Sequence, residues 1–447
     1  MKNVLIVSDA FLDGGLETRI TEQVHHYHEN GYKVFLAAGK IKPARTEIFD
    51  GILSINYAPC YHNGLFSTNE LIIMRDSIID FCLQNSIDFI ECHPFWCALP
   101  AILAAEKTSL PISFTLHGIA SANFISMDLL DIKILYYICF KYGIDKIYAV
   151  AEYLQELYSY LSTDISICRN GTIIKHNIGI NTKKYSGRFA IASRLDAPKT
   201  ILIQNFLSII HDLPEVTSID IYGDGNFKDT LQQFLKKNKM KKVTLKGWQE
   251  KLSDTFASEQ YDAAFGMGRV ILDIINAGIT AGVLGYGGFA GFVNHDTLPA
   301  FMENNLTSWE SLDNAQIKKL IHELSTHHQN KLSNKDIAPF DNQIIWENHI
   351  DSESKIVAKP KPVIRLLNEL FEESRSINLY SDIPNIVTKH LNLDFDIPLQ
   401  FLIQHIQEKT KLNNYNHQLQ TDLSQITESG FWKTTAPIRK ILNILHH

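Results

Sequence analysis

Short apolar runs alternating with helix-patterned segments, twice over, constrain this chain more than anything else in it. Residues 4–7, 34–38, 88–92, 112–115 and 147–150 are runs of strand length, and residues 18–30 carry a helical pattern that stops at Gly31. Strands separated by helical stretches make βαβ units, and βαβ units make parallel sheets. A polar, turn-rich stretch with Asn170-Gly171, Asn177, Gly179, Asn181 and Gly187 follows and reads as a linker. The alternation then restarts: strand-like runs at 189–192, 219–222, 243–245, 262–265 and 283–286, with helical patterns at 200–213 and 227–237. The expected fold class is α/β, with two Rossmann-like domains at 1–175 and 187–345 and a helical region at 346–447. A chain of 447 residues has room for them at roughly 100–200 residues per domain.

Charge and composition narrow the function. With 42 Lys and Arg against 49 Asp and Glu, a net charge of -7, the chain lacks the basic field that drives polynucleotide binding. The first apolar run is followed at once by Ser8, Asp9 and Asp13, so it reads as a strand rather than a signal peptide. The longest apolar stretch, 262–293, is broken by Arg269, Asp273 and many glycines, which excludes a bilayer-spanning helix there. Six cysteines, Cys60, Cys82, Cys92, Cys97, Cys139 and Cys168, form no C-x-x-C pair and read as reduced thiols of a cytoplasmic protein.

No metal or cofactor is expected. His25, His26 and His28 share one predicted helix without carboxylates or cysteines at metal spacing. Cys92 and Cys97 flank His93, but Pro94-Phe95-Trp96 between them reads as a structural loop.

Four motifs sit where predicted strands end. Gly14-Gly15-Leu16-Glu17 opens a helix after the first strand, where backbone N–H groups can face an anion, although a tight turn without a ligand has the same sequence. Arg194 and Lys199, five residues apart at the start of the second domain, suit a diphosphate: a guanidinium binds as a fork and an ammonium as a point charge. Gly223-Asp224-Gly225 closes a strand at the ligand end of an α/β sheet. Gly266-Met267-Gly268-Arg269 leads into an apolar helix carrying one acid, Asp273, which can accept both hydroxyls of a ribose.

In this order the motifs resemble the retaining glycosyltransferases of the two-Rossmann-domain, or GT-B, type that use nucleotide sugars in bacterial polysaccharide assembly; the resemblance covers about residues 1–346. It implies two domains facing a central cleft, a nucleoside-diphosphate-sugar donor, a glycan, lipid-linked or protein acceptor, and no required metal. It places Gly14, Gly15 and Glu17 near the donor phosphates or acceptor, Arg194 and Lys199 on the diphosphate, and Gly223 and Asp224 near the base. Gly266, Gly268 and Arg269 also fall in the donor site, with Asp273 on the ribose. His117, in Thr115-Leu116-His117-Gly118, matches a histidine that touches the donor sugar. His117, Arg194 and Lys199 are thus the expected catalytic group. One position departs from the pattern: the first acid of the group's E-x7-E is Phe265 here.

The end of the chain adds a docking element. Phe431, Trp432, Ile438, Ile441, Leu442 and Leu445 lie beside Lys433, Arg439 and Lys440. An apolar stripe flanked by cations suits an anionic membrane surface, and equally a partner or the protein's own body. Peripheral attachment to the inner face of a membrane is the resulting expectation.

Overall fold

The computed structural model describes residues 2–12, 14–57, 67–94, 96–118, 121, 130–162, 164–174, 184–249, 251–326 and 332–373. One compact unit, Met1–Ala122 with Cys139–Glu372, contains both sheets. The second unit is Asn123–Ile138 with Glu373–His447; its described residues, 130–138 and 373, are helical. Cys60 and the expected helical region beyond residue 373, with the apolar and basic segment at 431–447, lie outside the described residues.

The first sheet has seven strands: β1 (Asn3–Phe11), β2 (Lys33–Ile41), β3 (Gly51–Ser54), β4 (Phe89–Cys92), β5 (Ile112–Leu116), β6 (Lys146–Ala149) and β7 (Ile165–Ile167). They run parallel in the order β3-β2-β1-β4-β5-β6-β7. Val4 sits between Val34 and Phe89, and Leu5 between Phe35 and Ile90. Helices cover both faces of such a sheet, so residues of both parities are apolar: Val4, Leu5, Ile6 and Val7 are all buried.

The second sheet has six strands: β8 (Arg188–Ala192), β9 (Ser218–Tyr222), β10 (Val243–Gly247), β11 (Ala263–Gly266), β12 (Thr280–Gly285) and β13 (Gly288–Phe292), in the order β10-β9-β8-β11-β12-β13. All pair in parallel except β13, which returns antiparallel to β12. Phe189, Phe206, Phe265, Phe289 and Phe292 meet within its core. Strand order reverses between β1 and β4 and again between β8 and β11, and the crevice beyond the carboxyl ends of such strands is where open α/β sheets bind ligands. Two α/β domains are what the alternation led us to expect.

Local differences have local causes. β3, β7 and β13 are missing from the sequence reading; each is an edge strand with a neighbour on one side only, and β13, Gly-Phe-Ala-Gly-Phe, carries two glycines. The helix expected at 200–213 runs Ala197–Ile210, because Asp196 caps it by accepting the Lys199 N–H at 3.2 Å and Pro198 suits its first turn. The expected boundary at 345 falls inside the helix Asn342–Ser354, which Asp341 caps at the Gln343 N–H. This helix buries Trp346, His349, Ile350 and Glu353. It returns to the first sheet: Ser113 of β5 donates to Glu353 Oε1 at 2.9 Å. Among the described residues no helix is long and apolar enough to cross a membrane.

Candidate functional site

At the end of β1, Gly14 precedes the helix Gly15–Glu29 and offers no side-chain cap. Glu17 curls back instead, its Oε1 accepting the Leu12 N–H at 3.3 Å. Gly14, Gly15 and Glu17 therefore form one turn at the first sheet's reversal point.

In the second domain, Arg194 and Lys199 converge on one carboxylate. Arg194 Nε donates to Asp196 Oδ2 at 3.1 Å and Lys199 Nζ lies 3.8 Å from the same oxygen. Arg194 is 63% exposed and Lys199 only 18%. Burial, then the neighbouring guanidinium, lowers the Lys199 ammonium from its ordinary value. The Gly223-Asp224-Gly225 turn is stitched beneath: Leu195 N–H donates to the Asp224 carbonyl at 2.9 Å and Ser193 N–H to the Tyr222 carbonyl at 3.0 Å. A Cβ on Gly223 would stand 1.8 Å from the Ser193 carbonyl oxygen, and its φ of 144° disfavours any other residue. The Asp224 carboxylate is exposed and accepts from Gly225 N–H at 2.8 Å and Lys228 Nζ at 3.1 Å.

Beyond β11, Gly268 takes φ 59° and ψ -131° as the cap of the helix Arg269–Asn276, a backbone that only glycine adopts without strain. The cap has no side-chain hydrogen bond. Asp273 follows one turn later, half-buried. Burial pushes its carboxyl up to about 6, with Arg269 pulling against this and Glu22 adding to it. Arg269 forms a bidentate pair with Glu22, on the first domain's helix, with Nη1 2.8 Å from Oε2. Phe265 is fully buried in the phenylalanine core, so the position that departs from the resemblance has become a packing position.

His117 follows β5. Its backbone N–H and that of Gly118 both donate to Ser121 Oγ, at 2.8 and 3.0 Å. Its Nε2 lies 2.8 Å from Nδ1 of His93, the residue after β4. Burial, then His93, then Arg19 drives His117 well below the usual histidine range. Burial takes His93 down to about 4, so burial favours the neutral form of both rings.

Behind His93 lies a buried polar cluster. His93 Nε2 is 3.5 Å from Glu91 Oε1, and Glu91 Oε2 accepts from Gln23 at 2.5 Å and Tyr27 at 3.2 Å. His349 Nε2 stands 3.4 Å from both Glu91 Oε1 and Glu353 Oε1. Burial alone would raise the Glu91 carboxyl, but His349 outweighs it and holds the acid at about 2. Burial and Glu91 push Glu353 up to about 8. Glu91, His349 and Glu353 bring three ligand-type atoms within 4.8 Å of one another, yet Gln23, Tyr27 and Ser113 already hydrogen-bond the two carboxylates. Of the helical histidines discussed above, His26 lies 3.3 Å from Glu29 and His28 lies 3.1 Å from Asp50.

The structure thus pairs Arg194 with Lys199 on Asp196 and joins the Arg269 and Asp273 helix to the first domain through Glu22. Sequence reasoning missed Glu22, His93 and Arg19. A signal existed for His93, which ends an apolar strand as His117 does; Glu22 and Arg19 look like any polar residues of an amphipathic helix.

No protein-family model matches the chain, and no curated protein matches it in sequence. Solved structures do resemble it. The lipopolysaccharide outer core galactosyltransferase WaaB superposes with a TM-score of 0.57 at 14% identity, covering 78% of this chain and 98% of that one. HepE from Anabaena, solved with UDP, gives 0.57 at 13% identity, covering 79% and 100%. A UDP-N-acetylglucosamine 2-epimerase from Rickettsia bellii gives 0.50 at 12% identity, covering 80% and 97%. At these identities the likeness is one of fold, and the chain has the two-Rossmann-domain GT-B fold that these proteins share.

Proposed function

We propose that this chain is a glycosyltransferase that moves a sugar from a nucleoside-diphosphate sugar to an acceptor hydroxyl with retention, in assembly of a bacterial surface polysaccharide or glycoconjugate. The observation that carries the reading is the equipment at the second sheet's reversal point. Arg194 and Lys199 stand after β8, and an uncapped helix start with half-buried Asp273 stands after β11. Cations and a helix N-terminus suit a diphosphate, and a carboxylate one turn on suits ribose hydroxyls. Departure of the nucleoside diphosphate develops negative charge, where pre-placed cations lower the barrier most. No residue of the chain is assigned the acceptor proton; the leaving phosphate takes it in this reading, and no metal is required. The known UDP complex of HepE supports the ligand class, while the epimerase shows that the same fold also serves a UDP-N-acetylglucosamine 2-epimerase.

The reading includes attachment at the inner face of a membrane, or to an assembly partner, through residues 431–447. A second reading, a non-catalytic scaffold for a partner transferase, is favoured by one observation: Phe265 fills the core where the resemblance has an acid. Incubating the purified chain with UDP-, GDP-, dTDP- and ADP-sugars and following nucleoside diphosphate release separates the readings. Turnover with one donor, giving a product of unchanged anomeric configuration, supports the transferase. Donor binding without turnover, with acceptor glycans present, supports the scaffold.

A further inference from the structure

We infer that Glu91 and His93 are positioning residues that fix the tautomer of His117, leaving its Nδ1 as a bare acceptor that selects a ligand hydroxyl. The inference rests on the functional reading above for the identity of the ligand, a sugar, but not for the tautomer itself.

His117 Nε2 lies 2.8 Å from His93 Nδ1, a true hydrogen-bond distance. Two neutral imidazoles can share such a bond only if one donates and the other accepts, and the distance alone does not say which. Glu91 breaks the symmetry. The far nitrogen of His93, Nε2, is buried, has no hydrogen bond of its own, and faces Glu91 Oε1 at 3.5 Å. A proton on that nitrogen would have a carboxylate oxygen 3.5 Å away to offset its partial charge; a lone pair there would oppose the oxygen's own lone pairs in a dry interior. Glu91 cannot swing away, because Gln23 and Tyr27 hold its other oxygen.

Protonation then follows by elimination. His93 carries its hydrogen on Nε2, so its Nδ1 accepts, and His117 must donate from Nε2. Being neutral, His117 has no hydrogen left for Nδ1. That nitrogen has no hydrogen-bond partner among the described residues. It follows β5 at the ligand end of the sheet and can only accept. A phosphate or carboxylate oxygen has no hydrogen to give it; a sugar hydroxyl has. The carboxylate-imidazole-imidazole chain thus turns an ambiguous ring into an acceptor of one kind, as a buried carboxylate does for the histidine of hydrolytic triads.

The direct test needs no substrate. In the full chain with histidines labelled in 15N, and with His117→Asn identifying the signals, a 15N–15N coupling across the hydrogen bond should link the two rings, with its proton attached to His117 Nε2. A proton attached to His93 Nδ1, or no coupling, overturns the inference. Two variants test the consequence. His93→Leu, which removes the acceptor, should lower kcat roughly 10–100-fold, the range typical of lost orienting partners, with little change in donor KM. His93→Asn, which restores an oxygen near the Nδ1 position but fills the site less well, should recover most of that loss. Wild-type kcat in the leucine variant, or equal impairment in both, contradicts the assignment. Should the leucine variant not fold, the coupling in the unmutated chain still decides. A wild-type chain that turns over no nucleotide sugar would sink the transferase reading while leaving the tautomer result standing.

Discussion

Arg269 of the second domain holds both carboxylate oxygens of Glu22 in the first, so a residue expected at the donor also fastens one sheet's helix to the other's. Both side chains are largely shielded, at 16% and 18% exposure. Charge-assisted hydrogen bonds of this kind contribute about 1.5–3 kcal/mol. Glu22→Gln should therefore lower the unfolding free energy by about 1–3 kcal/mol, with a comparable coupling to Arg269→Gln in a double-mutant cycle. Denaturant melts check it; single variants as stable as wild type would show that the pair holds nothing.

Asp273 makes stability fall with rising pH. Its carboxyl titrates at about 6 in the folded chain against an ordinary 3.8, so the folded state binds the proton more tightly than the unfolded one. The stability linked to that proton is complete below about pH 4 and is lost as pH rises through about 6, to the extent of ~3 kcal/mol. Asp273→Asn should flatten this slope and melt higher at neutral pH. The same variant should weaken nucleoside diphosphate binding by ~1.5–3 kcal/mol, since the ionised acid is the proposed ribose acceptor. Calorimetry and melting curves across pH read both effects, and unchanged affinity would remove Asp273 from the ribose.

Phe265→Glu, which would rebuild the acid of the E-x7-E pattern that the sequence resembles, should unfold the second domain. Its ring centroid lies 4.8 Å from Phe206 and 5.5 Å from Phe189, and the change combines a lost aromatic with an unpaired buried charge, above ~4 kcal/mol together. A soluble variant with a wild-type melting temperature would contradict this account of the core.

The alternation of apolar runs disclosed both parallel sheets because strands buried on two faces must be apolar throughout, as Val4 to Val7 are. It hid β3, β7 and β13, each an edge strand that is not enclosed by neighbours on both sides. Of the candidate site, Arg194, Lys199 and Gly268 were legible because each stands at a strand-to-helix turn, and Asp273 because it is the one acid of the apolar helix that follows. Glu22 and Glu91 were not: one lies on a helix surface, the other inside an apolar strand, and only tertiary contact gives either a role.

Deleting residues 431–447 should release the protein from anionic vesicles or an assembly partner while sparing transfer to a soluble acceptor. Trp432, Phe431, Ile438 and Leu442 would each gain up to ~1.5–3 kcal/mol on full burial, and each nearby cation ~1 kcal/mol at an anionic surface. Co-sedimentation unchanged by the deletion, with a lowered melting point, would instead make the segment part of the protein's own packing.

The central claim, that the second sheet's reversal point binds a nucleoside-diphosphate sugar through Arg194 and Lys199, is tested most directly by thermal melting of wild type, Arg194→Ala and Lys199→Ala against UDP-, GDP-, dTDP- and ADP-sugars. At ~100 times its dissociation constant a true donor adds ~2.7 kcal/mol of stability. The account predicts that one donor class raises the wild-type melting temperature, that the gain shrinks in both folded variants, and that their transfer falls ~10²–10³-fold. No stabilisation of wild type by any donor, or undiminished stabilisation and turnover in both variants, would contradict it.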